Sequence, residues 1–289
     1  MALRDLENLS ARDRVLDVPG DEADESGRRR FLAAVAHRFR PAVVLPGALG
    51  IAAFVGSWEL VALHNPSLIP TVGQIASSLV DNPHLYWLNT ATTLRETVVG
   101  LLGSFVVAFS AAVLMCHAKA FERAVMPLAV ILNVTPIVAI TPALVIALGF
   151  GSLPKYVITA MIVFFPLLIN SLVGLRSVDP SALDFLRTLH ASRREILWRL
   201  RLPSCLPFLF AALRVCVPLS LIGAVVAEYL ASGQARGLGS MISIAQGYSD
   251  TAMIYAATFI LAVLGLVFTL AVVVAEASIL SWHVSIRRS

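Results

Sequence analysis

The sequence predicts an all-α polytopic membrane protein of about six transmembrane helices with both termini in the cytoplasm, and three observations predict it. The first is composition. The chain has 289 residues, 58% hydrophobic and 14% charged, with a mean hydropathy of +0.82. A soluble domain carries about 25% charged and about 45–50% apolar residues, so a soluble globule of this composition would lack polar surface. The second is six apolar runs, near 43–63, 91–115, 126–148, 156–175, 207–231 and 253–282, each longer than the roughly 18 residues needed to cross a bilayer. Helices follow because a spanning helix satisfies its own backbone.

The third is the alternation of basic residues between loops. Residues 1–42 carry eight arginines, and 64–90 carry no Lys or Arg. Lys119 and Arg123 lie in 116–125, and only Lys155 in 149–155. Arg176, Arg187, Arg193, Arg194, Arg199 and Arg201 crowd 176–206. Arg236 is alone in 232–252, and Arg287 and Arg288 close the chain. All six spans are needed to keep the bias alternating, and the basic side is the cytoplasm.

The organisation that follows is a cytoplasmic, largely disordered tail over 1–42, a six-helix domain over 43–282, and a cytoplasmic tail over 283–289. The N-terminal tail mixes Asp21, Glu22, Asp24 and Glu25 with Arg28, Arg29 and Arg30. Its first apolar run begins too late and runs too long for a secretory signal. Cys116, Cys205 and Cys216 have no paired spacing and read as small helix hydrophobes, not a disulfide framework or metal site.

Between the first two spans, Val72, Ile75, Ala76 and Leu79 follow helical spacing behind a Thr71–Gln74 capping box. They predict a short helix on the outer interface. Pro127, Pro136 and Pro142 crowd the third span and predict a kink there. No internal repeat is visible, which weighs against inverted-repeat transporters.

Segment 176–206 is long for a loop and reads as two short helices. Asp179 caps the first and Pro180 occupies its first position. Leu183, Leu186 and Leu189 stripe it, the pattern breaks at His190–Ala191, and Ser192 with Glu195 restarts a helix. Pro203 and Pro207 are expected to interrupt or kink the chain before the next span. Residue pattern alone leaves two readings: packing of the hairpin on its own bundle, with arginines at lipid headgroups, or docking of a partner on exposed Phe185 and leucines.

The chain resembles the permease subunits of binding-protein-dependent ABC importers, which carry a cytoplasmic motif of Glu-Ala-Ala, three residues, Gly, nine residues, Ile, one residue, Leu-Pro. Here the register reads Asp184-Phe185-Leu186, His190, then Leu200-Arg201-Leu202-Pro203. The runs TPALVIALGFGSLPK and GAVVAEYLASGQARGLG are similar to that family too, over roughly residues 55–282. The branch resembled handles taurine, sulfonates, nitrate or bicarbonate, and pyrimidine or riboflavin precursors. The resemblance implies a type I importer permease in the bacterial inner membrane, fed by an extracytoplasmic solute-binding protein. It implies a second permease copy and a dimer of cytoplasmic ATPases holding ATP and Mg. The coupling residues it implies are Asp184, Leu186, Leu189, His190, Ala191, Ser192, Arg193, Leu202 and Pro203. His190 stands where the family has Gly, and a left-handed backbone is expected there. Asp184 stands where it has Glu.

The chain has no G-x-x-x-x-G-K-S/T phosphate loop and no metalloprotease or nucleophile-elbow motif. It is therefore expected to be no enzyme, to hold no cofactor or metal, and to bind no nucleic acid. Ionisable residues within spans are functional hypotheses. Glu59, Glu276 and Arg214 are among them, and Arg95 with Glu96 opens the second span at the outer interface. Glu228 is open to two readings, a structural pair or a pathway residue. Asn133, Thr135, Asn170 and Ser171 either face a pathway or bond between helices; Asn133, Asn170 and Glu228 are the pathway candidates. An ion-gradient-driven secondary transporter is the alternative class, for which Glu228 and Arg214 are the available ionisable groups.

Overall fold

The computed structural model describes residues 41–66, 68–231 and 236–280. The tails expected over 1–42 and 283–289 lie, apart from residues 41 and 42, outside the described residues. Every described element is a helix. Helix α1 (Pro41–His64) forms one unit by itself, 24 residues long and apolar on all sides, with Leu49, Phe54 and Leu60 exposed.

The second unit contains the remaining helices. They are α2 (Val72–Asp81), α3 (Pro83–His117), α4 (Lys119–Val134), α5 (Ile137–Leu148), α6 (Ser152–Arg176), α7 (Pro180–Thr188), α8 (Arg193–Ile196), α9 (Leu202–Leu230), α10 (Leu238–Gly247) and α11 (Thr251–Ile279). A π-helical turn, Leu197–Arg201, joins α8 to α9. Among the described residues, five helices are long and apolar enough to cross a bilayer, and α4 with α5 makes a sixth if that bent pair is one span. Outward positions on these helices are Val, Leu, Ile and Phe, such as Val106, Val107, Phe259, Leu266 and Val274. Hydrocarbon suits them better than water.

The centre of this unit is α6, packed against α3 and α9 over most of its length. Small residues permit that approach. One face of α3 buries Thr93, Thr97, Gly100, Ser104, Ala108 and Ala112, spaced three or four apart. A Cβ on Gly100 would stand 2.6 Å from Thr159 Cβ, and one on Gly174 would stand 2.7 Å from Cys205 Sγ. With lipid as the surroundings, close backbone approach is what gives helices net attraction. Ser104 adds an interhelical bond by donating to Ala160 O at 2.8 Å.

The kink expected in the third span is present, and three other features differ from the sequence expectations. Run 126–148 forms no single straight helix; α4 and α5 meet at 103° across Thr135–Pro136. The proline ring forces Thr135 into extended backbone (φ −70°, ψ 126°), which ends α4. Pro203 and Pro207 interrupt nothing: Arg193–Leu230 is continuous over 38 residues. The π turn precedes Pro203 and widens the ladder, with Leu202 N–H bonding Leu197 O, so the ring meets no carbonyl four residues back. Residues 83–90 belong to α3, not to a loop. Lys155 sits in the first turn of α6, buried to 1% exposure, not in an exposed connection.

The local signals at the connections appear as helix caps. Thr71 and Gln74 form their capping box, as do Ser192 and Glu195, and Asp179 accepts from Ser181 N–H at 2.9 Å. His190 has φ +54°, the left-handed conformation expected where the helices of the hairpin break. His190→Gly should therefore be at least as stable as the parent. It relieves about 1 kcal/mol of left-handed strain, partly offset by the freedom glycine gains when unfolded. Gly100→Ala should lower stability by about 1–3 kcal/mol, as overpacking does. Thermal unfolding in mild detergent checks both.

Candidate functional site

Two groups of polar residues lie at opposite ends of α3, α6 and α9. The first is the hairpin of α7 and α8. It joins the bundle through Arg201, whose Nη1 donates to Leu175 O at 3.1 Å and contacts Cys116 Sγ. Arg176 makes a bidentate pair with Glu122, Nη1 to Oε1 at 2.8 Å and Nη2 to Oε2 at 2.6 Å, fixing the end of α6 to the start of α4. The hairpin's tip carries Phe185 and Leu189, 63% and 62% exposed on an otherwise polar surface. Among the described residues, Asp184 pairs with Arg187 of its own helix, at 3.1 Å, with both side chains mostly exposed. His190, Ser192 and Arg193 are exposed, Leu186 and Ala191 are half-buried, and Leu202 and Pro203 begin α9 half-buried. The hydrogen bonds to Asp179 hold its carboxylate below the usual range, as for a cap that accepts backbone N–H groups.

The second group is buried and centres on Glu228, near the end of α9 and fully inaccessible. Thr93 Oγ1 donates to Glu228 Oε1 at 2.7 Å, and Gly239 N–H donates to Oε2 at 2.6 Å. Leu238 N–H donates to Thr93 Oγ1 at 2.8 Å, and Gly237 N–H to Asn89 Oδ1 at 2.7 Å. The acid thus binds Gly239 N–H directly and Leu238 N–H through Thr93, while Asn89, also on α3, takes the adjacent Gly237 N–H. Gly237 has φ +142°, and a Cβ there would overlap the Glu228 carboxylate. Gly239 is packed as tightly, 2.9 Å from Glu228 Cβ for an added Cβ. Only glycine fits both places.

Beside this clasp lies an ion pair in which Lys155 Nζ and Glu96 Oε1 are 3.1 Å apart, each side chain 1% exposed. Lys155 Nζ also donates to Arg236 O at 3.1 Å, tying α6 to the backbone that leads into α10. A cavity of about 440 Å³ adjoins the pair, lined in part by Thr92, Arg95, Arg236 and Ser152.

The three pathway candidates are not brought together. Glu228 is committed to the clasp. Asn170 donates to Pro166 O within its own helix at 2.8 Å. Asn133 is exposed near the end of α4, just before the bend. Arg214 and Glu276 pair at 2.6 Å between α9 and α11. Sequence reasoning missed the Glu96–Lys155 pair because each residue was assigned to an interface or loop. The signal available was the small and polar periodicity of α3 from Asn89 through Ser104, which marks Glu96 as lying next to an inward face.

The family described as "Binding-protein-dependent transport system inner membrane component" matches residues 103–280. The formylaminopyrimidine transport permease protein ThiX of Halalkalibacterium halodurans is 32% identical over 229 residues, 78% of this chain and 91% of its own length. The riboflavin transport system permease protein RibX of Chloroflexus aurantiacus is 31% identical, covering 70% of this chain and 74% of its own. The taurine transport system permease protein TauC of Escherichia coli is 24% identical, covering 81% and 88%. This chain belongs to the inner-membrane permease components of binding-protein-dependent ABC importers, and is a multi-pass membrane protein of that family.

Three substitutions probe the buried group. Lys155→Met strands the Glu96 carboxylate and should cost about 3–5 kcal/mol, whereas Glu96→Met with Lys155→Met should recover most of it. Glu228→Gln sets an amide donor against an N–H or O–H donor and should cost about 1–3 kcal/mol. Unfolding midpoints of the purified chains, compared as a double-mutant cycle for the pair, check these values.

Proposed function

We propose that this chain forms the translocation pathway of an ATP-driven importer, moving by alternating access a small solute delivered by an extracytoplasmic binding protein. The observation that carries the proposal is the capped α7–α8 hairpin. It presents exposed Phe185 and Leu189 around a left-handed His190, in the register of the family's coupling motif. Its basic side is the cytoplasmic side. A cytoplasmic ABC ATPase receives the tip, with contacts from Asp184, Leu186, Leu189, His190, Ala191, Ser192 and Arg193, while Leu202 and Pro203 anchor the hairpin's exit into α9. Two copies of the permease face two ATPases, which hold the ATP and Mg. This chain contributes transmission and a pathway, not hydrolysis.

ATP binding then favours one of two arrangements of the bundle by its differential affinity for them. Glu228 and the Lys155–Glu96 pair act as fixed clasps on the outer side in this reading, while Asn133, beside the α4–α5 bend, keeps its candidacy as a pathway residue. The ion-gradient alternative needs a spanning ionisable group able to change partners. Glu228 has Thr93 and Gly239, and Arg214 has Glu276. For the solute we favour a neutral pyrimidine-type or riboflavin-like precursor, because the span cations Arg214 and Lys155 are both paired with acids. Sulfonate, taurine or nitrate is the next class.

Deletion of 184–192 is the decisive test. The shortened chain should purify as a folded, monodisperse membrane protein, lose co-purification of the ATPase and abolish uptake. Retention of the ATPase by that chain would overturn the docking assignment. Uptake that survives ATP depletion but stops with an uncoupler would point to the ion-driven class.

A further inference from the structure

A second cavity lies at the hairpin end of the bundle, between the end of α3 and the inner side of the hairpin. Its volume is about 410 Å³, and its lining includes His117, Arg187, Arg193, Arg201 and Cys116. No Asp or Glu is among its lining residues. Three arginines therefore line one polar space; Arg187 alone of them pairs with an acid among the described residues, and that acid, Asp184, is not part of the lining.

The hydrogen bonding sharpens this. Arg201 uses Nη1 on Leu175 O and Cys116, and no bond among the described residues engages its Nε or Nη2. His117 Nδ1 bonds Val113 O at 2.7 Å, which leaves Nε2 for another group. Arg187 is the one lining arginine with an acidic partner, Asp184, and that pair is mostly exposed. Exposed pairs of this kind contribute little, so Asp184 yields readily to a better acceptor. A phosphate group is such an acceptor: it takes several forked guanidinium contacts at once.

We propose that this cavity binds a phosphate-type anion, either the headgroup of an anionic lipid or free phosphate, bridging the end of α3 to the hairpin. The elements it joins explain its consequence. His117 ends one long helix, Arg187 lies in α7, and Arg193 begins the 38-residue helical run Arg193–Leu230. An anion held by all three fixes the hairpin's angle to the bundle. The proposal does not depend on docking of an ATPase, because it concerns binding by the permease chain itself.

The full chain is reconstituted in nanodiscs in two arms. One uses phosphatidylcholine with a minor fraction of phosphatidylglycerol and counts retained lipids by native mass spectrometry. The other uses phosphatidylcholine alone and follows the unfolding midpoint as inorganic phosphate is added. Three chains are compared: the parent, R187Q/R193Q, and R194Q/R199Q, which loses equal charge outside the cavity lining. The parent and R194Q/R199Q should bind equally, and R187Q/R193Q should bind at least about tenfold more weakly, as expected for lost charge-assisted hydrogen bonds. Selective phosphatidylglycerol retention identifies the lipid headgroup, and a phosphate-dependent rise in midpoint identifies the free anion. If the double variant does not fold, R187Q and R193Q are tested singly. Absence of binding in both arms, or equal loss in the two double variants, overturns the proposal.

Discussion

Apolar surroundings leave a buried polar group nowhere to turn except to the chain itself, and this protein is built around that constraint at Glu228. A carboxylate with no access to solvent is costly unless its oxygens are met by donors. Here Thr93 and Gly239 meet them, and Asn89 takes the neighbouring amide of Gly237. These bonds require α3 to lie close to α9 and residues 237–239 to lie against Glu228. The small-residue face of α3 provides the first, and Gly237 and Gly239 provide the second. Lys155 and Glu96 extend the same logic to α6. The long helices are thus registered against one another by polar groups at one end and by close packing along the rest.

At the other end the organisation is different. The polar residues at the tip of the hairpin are accessible, and their pairs are local. Asp184 pairs with Arg187 of its own helix, and Glu195 bonds Ser192 in its own cap. Such a segment has its shape set by its own caps and turn and keeps its apolar tip available. The two ends of the bundle therefore suit different tasks: one fixes the packing of the spans, and the other offers a surface to something outside it.

The parts legible in the sequence were those governed by local chemistry. A Ser followed three residues later by Glu caps a helix wherever it lies, so the Ser192 box could be read directly; the left-handed backbone at His190 followed from the glycine that the resembled family has at that place. Hydropathy located the long helices for the same reason. What was not legible depends on partners far along the chain. Glu96 and Lys155 are 59 positions apart, and each alone resembles a residue at an interface. Whether Pro203 breaks a helix depends on the ladder before it, which the π turn rephases. The 103° bend between α4 and α5 could be placed near Pro136, but not its size. Coupling residues followed a motif, whereas pathway candidates rested on polarity alone, and polarity does not distinguish a residue facing a channel from one bonding its own helix, as Asn170 does.

The unbroken run from Arg193 to Leu230 has a mechanical meaning. At about 1.5 Å per residue, Arg193 and Glu228 stand about 50 Å apart on one rod. No loop lies between them along this run. Pro207 and Pro218 within α9 are the rod's points of compliance, each lacking a backbone bond. The accessible polar residues of the hairpin and the buried Glu228 thus stand at the two ends of one continuous helical run.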